Sequence, residues 1–138
     1  MADPSATPPA PTVWHTLRAR DARALIDFLV EAFGFVENVA YEEDGIVAHA
    51  QLDWPEGGGI MLGDDRPGGS EWTRTPGTAG AYVVTADADA LHARAVAAGA
   101  EILEGPVDRE YVSRDFIARD PEGNLWSFGT YPGQPRAD

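Results

Sequence analysis

Apolar and polar side chains alternate from Val13 to Ala19, the two-residue period of a strand. The period then changes. Leu25, Phe28, Leu29, Ala32 and Phe33 recur at i, i+3, i+4, i+7 and i+8, which draws one apolar stripe along a helix. Asp21 is placed to cap that helix, and Gly34 to end it in the left-handed conformation that glycine adopts without steric cost. Extended segments follow near Phe35–Tyr41, Ile46–Trp54 and Gly59–Leu62. Glu43-Asp44-Gly45 and Glu56-Gly57-Gly58 mark the turns between them.

Residues 64–78 break the pattern with a Gly/Pro/Thr-rich connection that contains Trp72. The same order then begins again. Ala81–Thr85 predicts a strand, Asp87 or Asp89 caps a helix carrying Leu91, Ala95 and Ala98, and Gly99 stops it. Extended segments near Glu101–Val107, Tyr111–Ala118 and Leu125–Tyr131 complete the second half. A repeat of about 65 residues is an internal duplication. The pattern therefore predicts an α+β fold: two tandem βαβββ modules, residues 12–63 and 79–131, packed to give a curved, cleft-bearing sheet. Residues 64–78 form the linker loop. The Pro- and Ala-rich stretch 1–11 is expected to be a disordered arm, and 132–138 a C-terminal tail.

Composition narrows the function. The 138 residues are 43% apolar, enough for a core, and no apolar run approaches the ~20 residues of a membrane helix. No basic-then-apolar leader opens the sequence, so the expected address is cytoplasmic. The absence of cysteine removes disulfides, thiol nucleophiles and Cys-ligated metals. A net charge of −13 argues against nucleic acid as a partner. The same charge could steer a cationic ligand to a cleft, or simply keep the protein soluble.

Asp120-Pro121-Glu122-Gly123-Asn124 is a turn, with Pro121 fixing one corner and Gly123 free to take a positive φ. Leu125 to Phe128 then alternates as a strand. This stretch resembles the last hairpin of the vicinal-oxygen-chelate superfamily, which includes glyoxalases, bleomycin-resistance proteins and extradiol dioxygenases. Three further stretches carry the resemblance: Leu17-Arg18-Ala19-Arg20-Asp21 with its helix to Phe35, Val47–Leu52 with Gly59–Gly63, and Tyr82–Val84 with its helix to Ala100. The likeness spans about Val13 to Tyr131 and implies paired βαβββ modules, a small-molecule ligand and a homodimer, as in the small bleomycin-resistance-like proteins.

Metal-dependent members of that superfamily draw one ligand (His, Gln or Glu) from the first and last strand of each half. Counted on the family pattern, those positions fall here on Trp14, on Ile60 or Met61, on Gly80 and on Ser127. No carboxylate or imidazole stands among them, so no metal and no cofactor is expected. His15 adjoins the first position, but neighbouring strand residues face opposite ways, and only a slipped register or bulge would turn it into the cleft.

Strand parity assigns a lining to the cleft. Trp14, Thr16 and Arg18 face together, as do Gly80 and Tyr82, and Arg114, Phe116 and Ala118. His49 shares a face with Gln51 and Asp53, either to bind a ligand or move a proton, or as a hydrogen-bonded strand histidine. Trp72 sits in a polar loop that needs no core aromatic. Ser127 and Gly80 leave volume, while Arg18 and Arg114 are the candidate anion anchors or else partners of the many carboxylates. Trp126 and Phe128 are expected behind the sheet, and His92 on a solvated helix face. The function these residues predict is metal-independent binding of a planar or cationic small molecule in an aromatic-lined cleft, drug sequestration being one form. The alternative is a glyoxalase-like lyase, isomerase or dioxygenase, metal-dependent or using His49 as acid or base.

Overall fold

The computed structural model describes residues 9–137, so most of the expected N-terminal arm, and Asp138 of the expected tail, lie outside the described residues. The first half runs β1 (His15–Ala19), α1 (Ala22–Phe28), a wider π-helical stretch (Leu29–Phe33), β2 (Val36–Glu43), β3 (Ile46–Asp53) and β4 (Gly59–Asp64). The second runs β5 (Gly80–Val84), α2 (Ala88–Ala97), β6 (Glu101–Arg109), β7 (Ser113–Arg119) and β8 (Leu125–Gly129). Both helices begin on an aspartate, whose carboxylate accepts a backbone N–H three residues on: Asp21 from Ala24 and Asp87 from Ala90. Gly34 ends the first helix at φ 86°.

The halves form two four-stranded sheets of identical order, β1-β4-β3-β2 and β5-β8-β7-β6, with the first strand of each parallel to the last. The registers of β1, β4 and β3 superimpose on those of β5, β8 and β7 with an offset of 66 positions, while the outer β2–β3 and β6–β7 ladders, each broken by register shifts, differ by a residue in places. His15 opposite Ile60 repeats as Ala81 opposite Trp126, and Ala50 opposite Leu62 repeats as Phe116 opposite Phe128. The tandem βαβββ architecture expected from the pattern is therefore present down to individual pairs.

One core joins the modules on the helix-covered faces of both sheets. Leu17, Ala19, Ala50, Leu52, Ile60 and Leu62 bury the first sheet, and Phe116, Ala118, Trp126 and Phe128 the second. Phe33, at the end of the first helix, crosses between them, with its ring 4.6 Å from Phe128 and 5.9 Å from Trp126. The Trp54 indole N–H donates to the Val84 carbonyl at 2.8 Å, which satisfies a group on an edge strand. Arg94 of α2 donates to the Val30 and Glu31 carbonyls at the end of the first helix, adding to the Gly34 N–H that Val30 already accepts. Opposite these contacts, the Glu122 carboxylate accepts the backbone N–H groups of Arg20 and Asp21 at 2.8 and 3.0 Å. The last hairpin is thus tied to the start of α1.

Candidate functional site

Because Leu17 and Ala19 point into the core, Thr16 and Arg18 stand on the opposite, polar face of β1. The register brings Met61 of β4 beside Thr16, and His49 of β3 rises on the same face. The linker closes over them with Trp72 and Arg74. Together these residues line a cavity of about 140 Å³. Gly63 makes it possible: a side chain there would overlap the Arg18 guanidinium and the Ala48 carbonyl. The His49 ring lies against Tyr41, its partner across the β2–β3 ladder, with ring centroids 6.3 Å apart.

Four of the expected site residues, Thr16, Arg18, His49 and Trp72, are therefore neighbours around one cavity. Gln51 shares their face, but its amide donates to Asp53 at 2.8 Å and serves the ladder. Trp14 lies just before β1, its indole N–H on the Pro11 carbonyl and its ring over Gly59. Tyr82 and Ser127 face each other across the second sheet. The Tyr82 hydroxyl donates to the Tyr131 carbonyl, and the residue borders a separate cavity of about 490 Å³ between the modules.

Three expectations are corrected. Phe116 is fully buried on the helix-covered face, because it stands directly opposite Phe128 and residues opposed across a ladder share a face. Arg114 has the same parity and lies outside the cavity, its guanidinium on Asp89 of α2 and on Asp108 at 2.9 and 3.1 Å. These carboxylates hold its pKa above the ordinary arginine value. His92, expected in solvent, packs edge-on against Phe116 with ring centroids 5.3 Å apart.

His15 belongs to the helix-covered side, with no slip of register, and lines the cavity between the modules. Its Nε2 is buried without a hydrogen-bond partner among the described residues, and burial pushes the imidazole pKa down.

The polar face of the second sheet holds a group that the strand-parity reading missed. Asp115, 1% exposed, accepts the hydroxyls of Tyr111 and Ser113 and pairs with Arg109 at 3.4 Å. The hydrogen bond to Asp115, with burial, raises the Tyr111 pKa. The offset of 66 would have found this residue, since it carries His49 onto Asp115.

The positions that bear metal ligands in metal-dependent relatives can also be tested. The register makes Met61, rather than Ile60, the counterpart of Ser127. Trp14, Met61, Gly80 and Ser127 supply a thioether and a hydroxyl but no carboxylate and no imidazole. This donor set does not fit an octahedral divalent site. Among the described residues, no group of three or more His, Asp or Glu side chains could hold a metal ion.

Residues 12–128 match the family described as Glyoxalase/Bleomycin resistance protein/Dioxygenase superfamily. The chain is 37% identical over 118 residues to an uncharacterized protein of Mycobacterium tuberculosis (strain ATCC 25618 / H37Rv), covering 79% of this chain and 68% of that one. It is 29% identical to the anthracycline biosynthesis protein DnrV of Streptomyces peucetius, covering 91% of this chain but only 50% of DnrV. Among solved structures, TioX from Micromonospora sp. ML1 superposes with a TM-score of 0.72 at 29% identity, covering 85% of this chain and 97% of TioX. TnmS3, an antibiotic binding protein from Streptomyces sp. CB03234, shares the fold at 23% identity and a TM-score of 0.63, covering 86% of this chain and 96% of TnmS3. No helix among the described residues is long and apolar enough to cross a membrane.

Proposed function

We propose that this chain, which belongs to the glyoxalase/bleomycin resistance protein/dioxygenase superfamily, is a metal-independent small-molecule-binding protein of the cytoplasm that works as a homodimer. The observation that carries the reading is the convergence of Thr16, Arg18, His49, Met61, Trp72 and Arg74 on one cavity. It combines an aromatic face, polar groups and a soft apolar floor, the mixture that orients a bound organic molecule. Trp72 is 66% exposed and offers its indole face for a planar ligand to stack on. The 29% identity to an anthracycline biosynthesis protein supports a planar ligand as well, and sequestration of such a compound is the form we favour.

The cavity of about 140 Å³ is small beside the roughly 300–1,000 Å³ of sites that take drug-sized ligands. Its lining comes from the first module and the linker alone. A second copy of the chain would supply the missing wall, which is why we place the function in a dimer.

Sedimentation equilibrium, with tryptophan quenching by a panel of planar aromatic compounds that includes an anthracycline, tests both points. We expect a dimer, and saturable quenching that Trp72→Ala abolishes. A monomer that binds with full affinity would remove the dimer from the proposal, and a panel with no response would remove the ligand.

A second reading keeps His49 as an acid or base, because its ring lines the same cavity. Under that reading His49→Ala destroys turnover of a bound compound while leaving its affinity intact. Under the binding reading, the bound compound leaves the wild-type protein unchanged.

A further inference from the structure

All ten basic residues are arginines, set against 23 carboxylates. In so acidic a chain an arginine finds a carboxylate unless the fold prevents it. Arg20, Arg23, Arg109, Arg114 and Arg119 each stand in an ion pair. Arg94 is spent on helix carbonyls. Among the described residues, that leaves Arg18, Arg66, Arg74 and Arg136 with no carboxylate within 4.0 Å.

Three of these four arginines are not scattered. Arg18 and Arg74 line the cavity under Trp72, and Arg18 and Arg66 line the depression beside it. No Asp or Glu among the described residues lines the first cavity. Asp64, the carboxylate of the adjoining depression, is 8% exposed and already accepts the backbone N–H groups of Ala22 and Val47 at 2.8 and 2.7 Å. Among the described residues, Arg74 bonds only the Glu71 carbonyl, at 3.3 Å. The strand geometry explains how Arg18 stays unpaired. Its guanidinium lies across Gly63, on a face whose lining offers no carboxylate, while Asp64, the next residue of β4, is taken by the backbone N–H groups of Ala22 and Val47.

We infer that this cavity selects an organic anion: a flat aromatic molecule whose carboxylate or phosphate is gripped by Arg18 and Arg74 while its ring system rests on Trp72. The inference rests on the binding function proposed above and fixes the charge of its ligand. A guanidinium offers two parallel N–H donors to an oxyanion, and two of them around a small, partly enclosed cavity repel an ammonium group. The overall charge of −13 acts at long range and is screened over about 8 Å at physiological ionic strength, so the local pair decides. Net charge alone would give the opposite sign.

Isothermal titration with four probes sharing one ring system tests this: 2-naphthoate, 2-naphthyl phosphate, neutral 2-naphthamide and 2-naphthylmethylammonium. The wild-type protein should bind one or both anions at least about tenfold more tightly than the amide, and the ammonium compound most weakly. The better anion tells carboxylate from phosphate. Arg18→Gln and Arg74→Gln should each lose about tenfold in anion affinity while binding of the amide stays within about twofold. Arg18→Lys should retain part of the preference, and Trp72→Ala should weaken all four probes alike. Circular dichroism on each variant confirms that the fold is intact, and Arg18→Lys carries the test if a glutamine variant is unfolded. Equal or tighter binding of the ammonium compound overturns the anion inference and leaves the small-molecule function standing. Failure of all four probes to bind overturns both.

Discussion

His15 presents a buried Nε2 with no hydrogen-bond partner among the described residues, and its pKa is lowered by burial. The unfolded chain therefore takes up the proton first as pH falls through the ordinary histidine value of 6.5. Stability from this group is complete above that pH and is lost progressively below it. The urea midpoint of the wild-type protein should fall between pH 7.5 and 5.5, and that of His15→Leu should fall less over the same range. Parallel curves would show that His15 does not titrate differently in the two states. The residue also shows what the chain discloses at this scale. Parity and the count from Asp21 put His15 behind the sheet correctly, because period-two alternation is a local property. Arg18 and Arg114 look alike in the sequence. What separates them is whether a carboxylate stands opposite, and Asp89, which binds Arg114, reaches it from another element. Arg74 gave no signal at all, since a polar loop has no period from which to read a direction.

At the scale of elements, the turn before β8 carries more than its proline and glycine reveal. One Asp120 oxygen accepts the backbone N–H groups of Glu122, Gly123 and Asn124, all within 3.0 Å. The other accepts the Asn124 amide and the Trp126 indole, both at 2.9 Å. The carboxylate, 3% exposed, thus fixes the turn and the side chain that anchors β8 in the core. Asp120→Ala would leave several buried donors unpaired and should cost about 3 kcal/mol in urea unfolding. Asp120→Asn keeps one acceptor oxygen and should cost less. Equal losses in the two variants would mean that the carboxylate's second oxygen contributes nothing. The turn was legible because Pro121 and Gly123 dictate backbone angles locally. The hydrogen bond from Trp126 was not, because it depends on how β8 folds back over the turn. The parity of β7 failed for a related reason. Arg114 and Phe116 share a face by alternation, but which face is set by Phe128 across the ladder.

An offset of 66 carries β1, β3 and β4 onto β5, β7 and β8 and makes the molecule a repeat with exchanged side chains on one scaffold. His49 becomes Asp115, Thr16 becomes Tyr82, and Met61 becomes Ser127. The two polar faces have diverged in chemistry while the buried pairs kept their places. A period was visible in the sequence because helix caps and apolar stripes repeat. The joint between the modules was hidden, because it is made of residues that each module reads as its own core. Phe33 belongs to the first helix by pattern, yet it packs on Trp126 and Phe128 of the second sheet. The second module alone, residues 79–138, would expose those two aromatic faces to water. Burying a large aromatic side chain removes roughly 150–250 Å², at about 25 cal/mol per Å². Losing about half of that burial from each side chain comes to roughly 5 kcal/mol, a large share of the roughly 5–15 kcal/mol that holds a domain together. The separate fragment should therefore show no cooperative thermal unfolding. Mixing it with residues 9–78 should restore both a cooperative transition and the near-ultraviolet dichroism of packed tryptophans. A second module that unfolds cooperatively alone would show that the shared aromatic core is dispensable, and that each half is a domain in its own right.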